Sequence, residues 1–141
     1  MGGVTLVLDM DGHGLSRGLD ELQARLLDVS QALETAGTAM LSSVRENFRG
    51  QGRPEKWKPL EPETIERKGH GIILYETGRL MASIVYRAEN DALTISTPLP
   101  YARVQQSGDD ALPARPFLVF QQEDASVIKS FIEGYIVRGN P

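Results

Sequence analysis

The sequence predicts an α+β fold: a long N-terminal helix and a C-terminal helix packed on a small, mainly antiparallel sheet, with a long ordered connector. Three observations carry this expectation. Apolar residues step by three or four from Leu15 to Phe48 without a gap, the mark of one buried helix face. Two β-rich runs flank Asn90-Asp91, a hairpin signal. A second helical spacing then follows in Ala125, Ile128, Phe131, Ile132, Tyr135 and Ile136.

In chain order, Val4 to Leu8 is β-branched and apolar and reads as a short strand, which the turn residues Asp9 to Gly14 end. Leu15, Leu19, Leu22, Leu26, Val29, Leu33, Ala36, Met40, Val44 and Phe48 then give one stripe over roughly nine helical turns. Ser16 is the expected N-cap and Gly50 the expected stop, and Gly37 marks a place for a kink or break. The stripe is nearly heptad-like and would suit either a coiled-coil partner or the domain's own sheet. Residues 49–80 form a connector or arm rich in Gly and Pro, anchored by Trp57, Leu60, Ile65, Ile72, Ile73, Leu74, Tyr75 and Leu80. Ala82–Glu89 and Ala92–Thr97 are the hairpin strands, with Ile84 and Tyr86 sharing one face and Leu93 and Ile95 sharing another. Tyr101–Gly108 reads as a short helical turn or loop, Asp109–Ala114 as polar and mobile. Arg115–Phe120 reads as a third strand or extended segment. Gln121–Val137 is the last helix, and Glu123 and Asp124 favour its positive end. At 141 residues the chain is expected to be a single domain spanning 1–141.

Composition narrows the function classes. A net charge of −4 argues against a general nucleic-acid binder. A local basic patch at Arg49, Arg53, Lys56 and Lys58 leaves room for a DNA-contacting connector, although a solvated face is the blander reading. The absence of cysteine removes disulfides, thiol catalysis and Cys-based metal sites. No basic leader precedes an apolar run, and no window approaches the length of a membrane span, so neither standard export nor membrane insertion is expected.

The sharpest enzyme-like string is Thr5-Leu-Val-Leu-Asp-Met-Asp-Gly12. A strand ending in Asp-x-Asp-Gly is how Mg²⁺-dependent phosphatases of the haloacid-dehalogenase type present a nucleophilic Asp and an acid/base Asp. Asp9 and Asp11 would fill those roles, but no succession of strand–helix units follows to build the parallel sheet. Asp9, Asp11, Gly14 and Asp20 also begin a Ca²⁺-loop pattern, without the preceding helix or the closing Glu. His13 and His70 sit among glycines without the spacing of a metal pair and read as loop histidines. No catalytic set, metal site or cofactor site emerges.

Several patches, taken in order, resemble the phage virion morphogenesis family, the tail-completion and Mu-like G proteins of tailed phages and prophages. They are Asn47-Phe48, Trp57-Lys-Pro-Leu60 with Thr64 and Lys68, and Ile73-Leu74-x-x-Thr77-Gly78-x-Leu80-x-x-Ser83-Ile84. Tyr101-Ala102, Gln105-x-x-Gly108 and Pro113-Ala-Arg-Pro-Phe-Leu118 complete the set. The set covers about residues 40 to 120, with Gln105-Gln106 where the family often has His-Gln. The resemblance implies a non-catalytic structural protein for tail completion or head–tail joining, without a cofactor. It would act as a homo-oligomeric ring, a hexamer by analogy, meeting tail-tube or connector proteins and DNA in transit but no membrane. It would lie in the virion at the tail or head–tail junction, and in host cytoplasm during assembly. Trp57, Leu60, Arg79, Tyr101, Arg115 and Phe117 are the candidate assembly contacts. For Trp57 a lid on the domain's own core competes with a subunit contact, and for Arg115 a structural salt bridge competes with a partner contact.

Overall fold

The computed structural model describes residues 13–140, and the expected strand at Val4–Leu8, with Asp9 and Asp11, lies outside them. In chain order the elements are α1 (His13–Leu27), α2 (Ser30–Arg49), α3 (Pro62–Lys68), α4 (Arg79–Ala82), β1 (Val85–Ala88), β2 (Leu93–Ser96), α5 (Ala102–Ser107) and α6 (Gln122–Arg138). The α+β class holds. Helix α2 is the hub: α6, β1 and β2 all pack on it, while α1 lies against α6.

The long apolar stripe is divided between two helices, a correction to the single helix expected. The break falls at Asp28-Val29 and not at Gly37. The Asp28 carboxylate accepts the Ser30 amide at 2.9 Å, and the Val29 amide donates to the Asn90 carbonyl at 2.9 Å. A local side-chain acceptor and a carbonyl from the hairpin tip thus interrupt the helical ladder together. Bonds from the Ser30 side chain and amide hold the Asp28 carboxyl below its usual range. The helix also begins earlier than expected. His13 and Gly14 already belong to α1, so His13 is not a loop residue and Ser16 lies inside the helix.

The α2 stripe is consumed by its own fold. Ala32, Leu33, Ala36, Met40, Val44 and Phe48 are all buried. Gly37 sits mid-helix because the Tyr86 ring of β1 lies directly over it, and a Cβ there would meet ring carbons at 2.3 to 2.6 Å. Helix α2 ends at Gly50, as predicted. The chain then reverses through left-handed backbone at Gln51 (φ 56°) and Gly52 (φ 111°).

The hairpin is antiparallel with Tyr86 opposite Ile95 and Ala88 opposite Leu93, so Asn90-Asp91 is the two-residue turn that the sequence indicated. Burial alternates along both strands, with Tyr86, Leu93 and Ile95 on the half-buried face. The strands are shorter than expected because Ala82 is taken into α4. Among the described residues the sheet has these two strands. Arg115–Phe120 is extended but pairs with no strand among the described residues. Asp109–Ala114 is not loose polar chain: the Asp109 carboxylate accepts the Ala111 and Leu112 amides at 2.9 and 2.7 Å. Helix α6 carries a capping box in which Gln121 and Asp124 satisfy each other's backbone amides. Arg25 of α1 donates to the Ile136 carbonyl at 3.0 Å near the negative end of α6.

Replacing Gly37 with Ala tests the Tyr86 contact. Helix propensity alone would favour Ala by about 1 kcal/mol. Overpacking against an aromatic ring costs about 1–3 kcal/mol. The variant should therefore be no more stable than the parent, with a lower midpoint in urea unfolding. A clear gain in stability would show that the ring moves away freely.

Candidate interaction cleft

The core beneath the connector is built by three aromatic rings. Phe48 meets Trp57 edge-to-face at 5.7 Å and Phe117 at 5.6 Å. Val44, Ile73, Leu80, Ile84 and Ala102 close around them. Trp57 is therefore a core residue, and Phe117 is 1% exposed.

Polar side chains hold the surrounding irregular backbone. Asn47, wholly buried on the last turn of α2, donates to the Phe117 carbonyl at 2.8 Å. Its oxygen accepts from Arg53 Nε at 2.9 Å and Gln121 Nε2 at 3.3 Å. Trp57 Nε1 donates to the Pro116 carbonyl at 2.9 Å. Gln106 of α5 accepts the Phe117 and Leu118 amides, each at 3.0 Å, and donates to the Leu118 carbonyl at 3.0 Å. Gln51 accepts the Ile73 amide at 2.5 Å. Gln106, Asn47 and Gln51 escaped the sequence reading as working residues. Each is an ordinary amide in the chain and gains its role only from a distant backbone partner.

Arg115 is 7% exposed. Its Nε and Nη2 donate to the Lys58 and Pro59 carbonyls at 3.0 and 3.2 Å. The structural salt bridge considered for it is absent, since no carboxylate among the described residues lies within ion-pair distance. Burial lowers its pKa from the usual arginine value, and Glu61 partly offsets this from further away.

Arg115 opens onto a cleft of about 540 Å³. Leu60, Arg79 and Tyr101 line the same cleft, so these predicted contacts converge, while Trp57 and Phe117 lie in the adjoining core. One wall is α3, which contributes Arg67 and Lys68. Another is the turn into α4, where Gly78 (φ 76°) approaches the Tyr75 ring. Burial lowers the Lys68 pKa, Glu76 opposes that shift, and Arg67 and Arg115 reinforce it. Tyr75 also lines a second, more apolar cleft of about 590 Å³ with Ile72, Ile73 and Met81.

The four residues of the proposed basic patch have different surroundings. Arg53 turns inward and also donates to the Ser43 carbonyl at 2.7 Å. Arg49 pairs with Glu46, Lys56 bonds the Gly50 carbonyl, and Lys58 stands 4.0 Å from Glu61. His70 accepts the Ile72 amide at 3.2 Å. No group of three or more metal-capable side chains occurs among the described residues, and none of their helices is long and apolar enough to cross a membrane.

Comparison with known proteins adds two findings. The model of the phage virion morphogenesis family matches residues 10–136, a longer span than the motif patches. Mu-like prophage FluMu G protein 2 of Haemophilus influenzae (strain ATCC 51907 / DSM 11121 / KW20 / Rd) is 37% identical over 107 residues, covering 71% of this chain and 72% of that protein. No solved structure matches the chain.

The clamp on Phe117 predicts a large effect from a small change. Asn47→Ala strands the Phe117 carbonyl and the Arg53 Nε donor and removes one of the two Gln121 bonds, and should cost about 2–4 kcal/mol. Chemical unfolding followed by the single tryptophan would measure it directly. A loss below about 0.5 kcal/mol, the level of an ordinary surface change, would mean the clamp is dispensable.

Proposed function

The chain belongs to the phage virion morphogenesis family, and we propose that it is a structural component that completes the tail or joins head to tail during virion assembly. It works as a ring of identical subunits, a hexamer in the simplest case, and meets tail-tube or connector proteins. Its place is the tail or head–tail junction of the particle, reached from the host cytoplasm.

The observation that carries this reading is the convergence of Leu60, Arg79, Tyr101 and Arg115 on one open cleft made from four separate parts of the chain. The cleft holds cations and aromatic edges. Its only carboxylate among the described residues, Glu76, stands 3.4 Å from Arg67. Such a lining suits recognition of another surface better than proton transfer, which needs an acid and base of matched pKa. Two further features fit subunit contacts. Among the described residues, both strands of the hairpin keep one unpaired edge. Leu27, Val85, Phe120 and Val137 expose more than half of their surface, and exposed apolar side chains of this size favour association where they cluster.

Negative-stain electron microscopy and light scattering test the reading. Rings, formed alone or on mixing with tail-tube protein, are the expected result. A protein that stays monomeric in both conditions and does not bind tail tubes would overturn it.

A further inference from the structure

Arg115 presents an unresolved electrostatic cost. A largely buried arginine ordinarily faces a carboxylate, yet Arg115 forms no ion pair among the described residues: two carbonyls take its hydrogen bonds, and Glu61 acts only from a distance. Its third nitrogen, Nη1, has no acceptor within the described residues and is not sealed from the cleft. Lys68 donates to the Ile72 carbonyl at 3.0 Å, and Arg79 lies in no ion pair among the described residues. Among the described residues, Arg67 is the cleft cation that forms an ion pair. In a chain of net charge −4, the described residues of the cleft gather four cations against one carboxylate.

The uncharged part of the surface narrows the choice of ligand. Leu60, Leu74 and Tyr101 line the cleft together with the cations. Through Tyr75 the cleft adjoins the apolar one containing Ile72, which is 47% exposed. A nucleic-acid track would continue the positive charge along the surface. Here the continuation is apolar, with Arg49 as its one cation and Glu46 already paired to it. A chain carrying a carboxylate beside a bulky apolar side chain matches both halves.

We propose that the cleft docks an extended segment of a partner protein in which an Asp or Glu is adjacent to a bulky apolar residue. The carboxylate engages Arg115 Nη1, Lys68 and Arg79. The apolar neighbour lies on the ledge formed by Tyr75 and Ile72. Binding supplies an ion-pair partner that Arg115 does not have among the described residues, and charge-assisted bonds of this kind are about twice as strong as neutral ones. The inference rests on the assembly role only in taking the partner to be a protein.

The test presents the full-length protein, and a Lys68→Glu/Arg79→Glu variant, to a bead-bound library of random peptides. Both changed residues are outside the core, so thermal melting should be unchanged. The parent should retain peptides enriched in Asp or Glu next to Leu, Ile, Phe or Tyr. A synthesised consensus peptide should bind the variant at least about tenfold more weakly. Changing its acidic residue to the amide should weaken binding to the parent to a similar degree, an arm that needs no protein variant. Peptides without carboxylates, or equal binding by the variant, would overturn the proposal. So would competition by a short DNA duplex in place of the peptide, which would make nucleic acid the occupant. Rings lost in the variant would make a second copy the occupant, and would overturn the cleft proposal while leaving the assembly role standing. Peptide binding without any ring would sink the ring and leave the cleft.

Discussion

The backbone of Arg115–Leu118 is held by side chains instead of by a neighbouring strand, and much of the structure depends on that substitution. Asn47 and Trp57 take the carbonyls of Phe117 and Pro116, and Gln106 takes the amides of Phe117 and Leu118. With its peptide groups satisfied in this way, the segment can cross the core beside α2 without the cost of stranded polar atoms. Phe117 then fills the space beside Phe48, which in turn orients Trp57. The connector is therefore pinned at Trp57 by an apolar contact and a hydrogen bond together.

The same clamps shape the exposed cleft. Arg115 precedes the clamped peptides, so its guanidinium is delivered to one position, where the Lys58 and Pro59 carbonyls receive two of its nitrogens. Those carbonyls belong to the stretch that Trp57 anchors. Core packing and site geometry are consequently one problem: loosening the Phe48–Trp57–Phe117 cluster would displace the cation that the cleft presents. The planar fork of arginine suits this double task, since it can bond two carbonyls and still offer a third nitrogen. Lysine would offer charge without the fork.

Much of the architecture was legible in local pattern. The α2 stripe from Leu33 to Phe48 was read correctly because burial against α6 and the hairpin repeats at helical spacing. The hairpin was legible because Asn-Asp is a turn signal between alternating strands. The break at Asp28-Val29 was not, because the apolar spacing runs through it without a change of phase. What ends the ladder there is the Asn90 carbonyl, more than sixty positions away. Among the site residues, the family resemblance points to Arg79, Tyr101, Leu60 and Arg115, whereas Asn47 and Gln106, although they fall in its patches, gain a role only from the distant backbone groups they bond.

By itself the sequence determined the α+β class, the buried face of α2, the hairpin turn and the family, since each is written in residues near one another or in an ordered set of short motifs. Only the tertiary structure decided that Arg115–Leu118 would be an extended inner segment and not a third strand. It also decided that Trp57 and Phe117 would be core, and that Arg67, Lys68, Arg79 and Arg115 would share one cleft. The physical reason is the same in each case. A hydrogen bond or a charge contact between distant segments depends on where the whole chain brings its backbone, and no spacing along the sequence records that meeting.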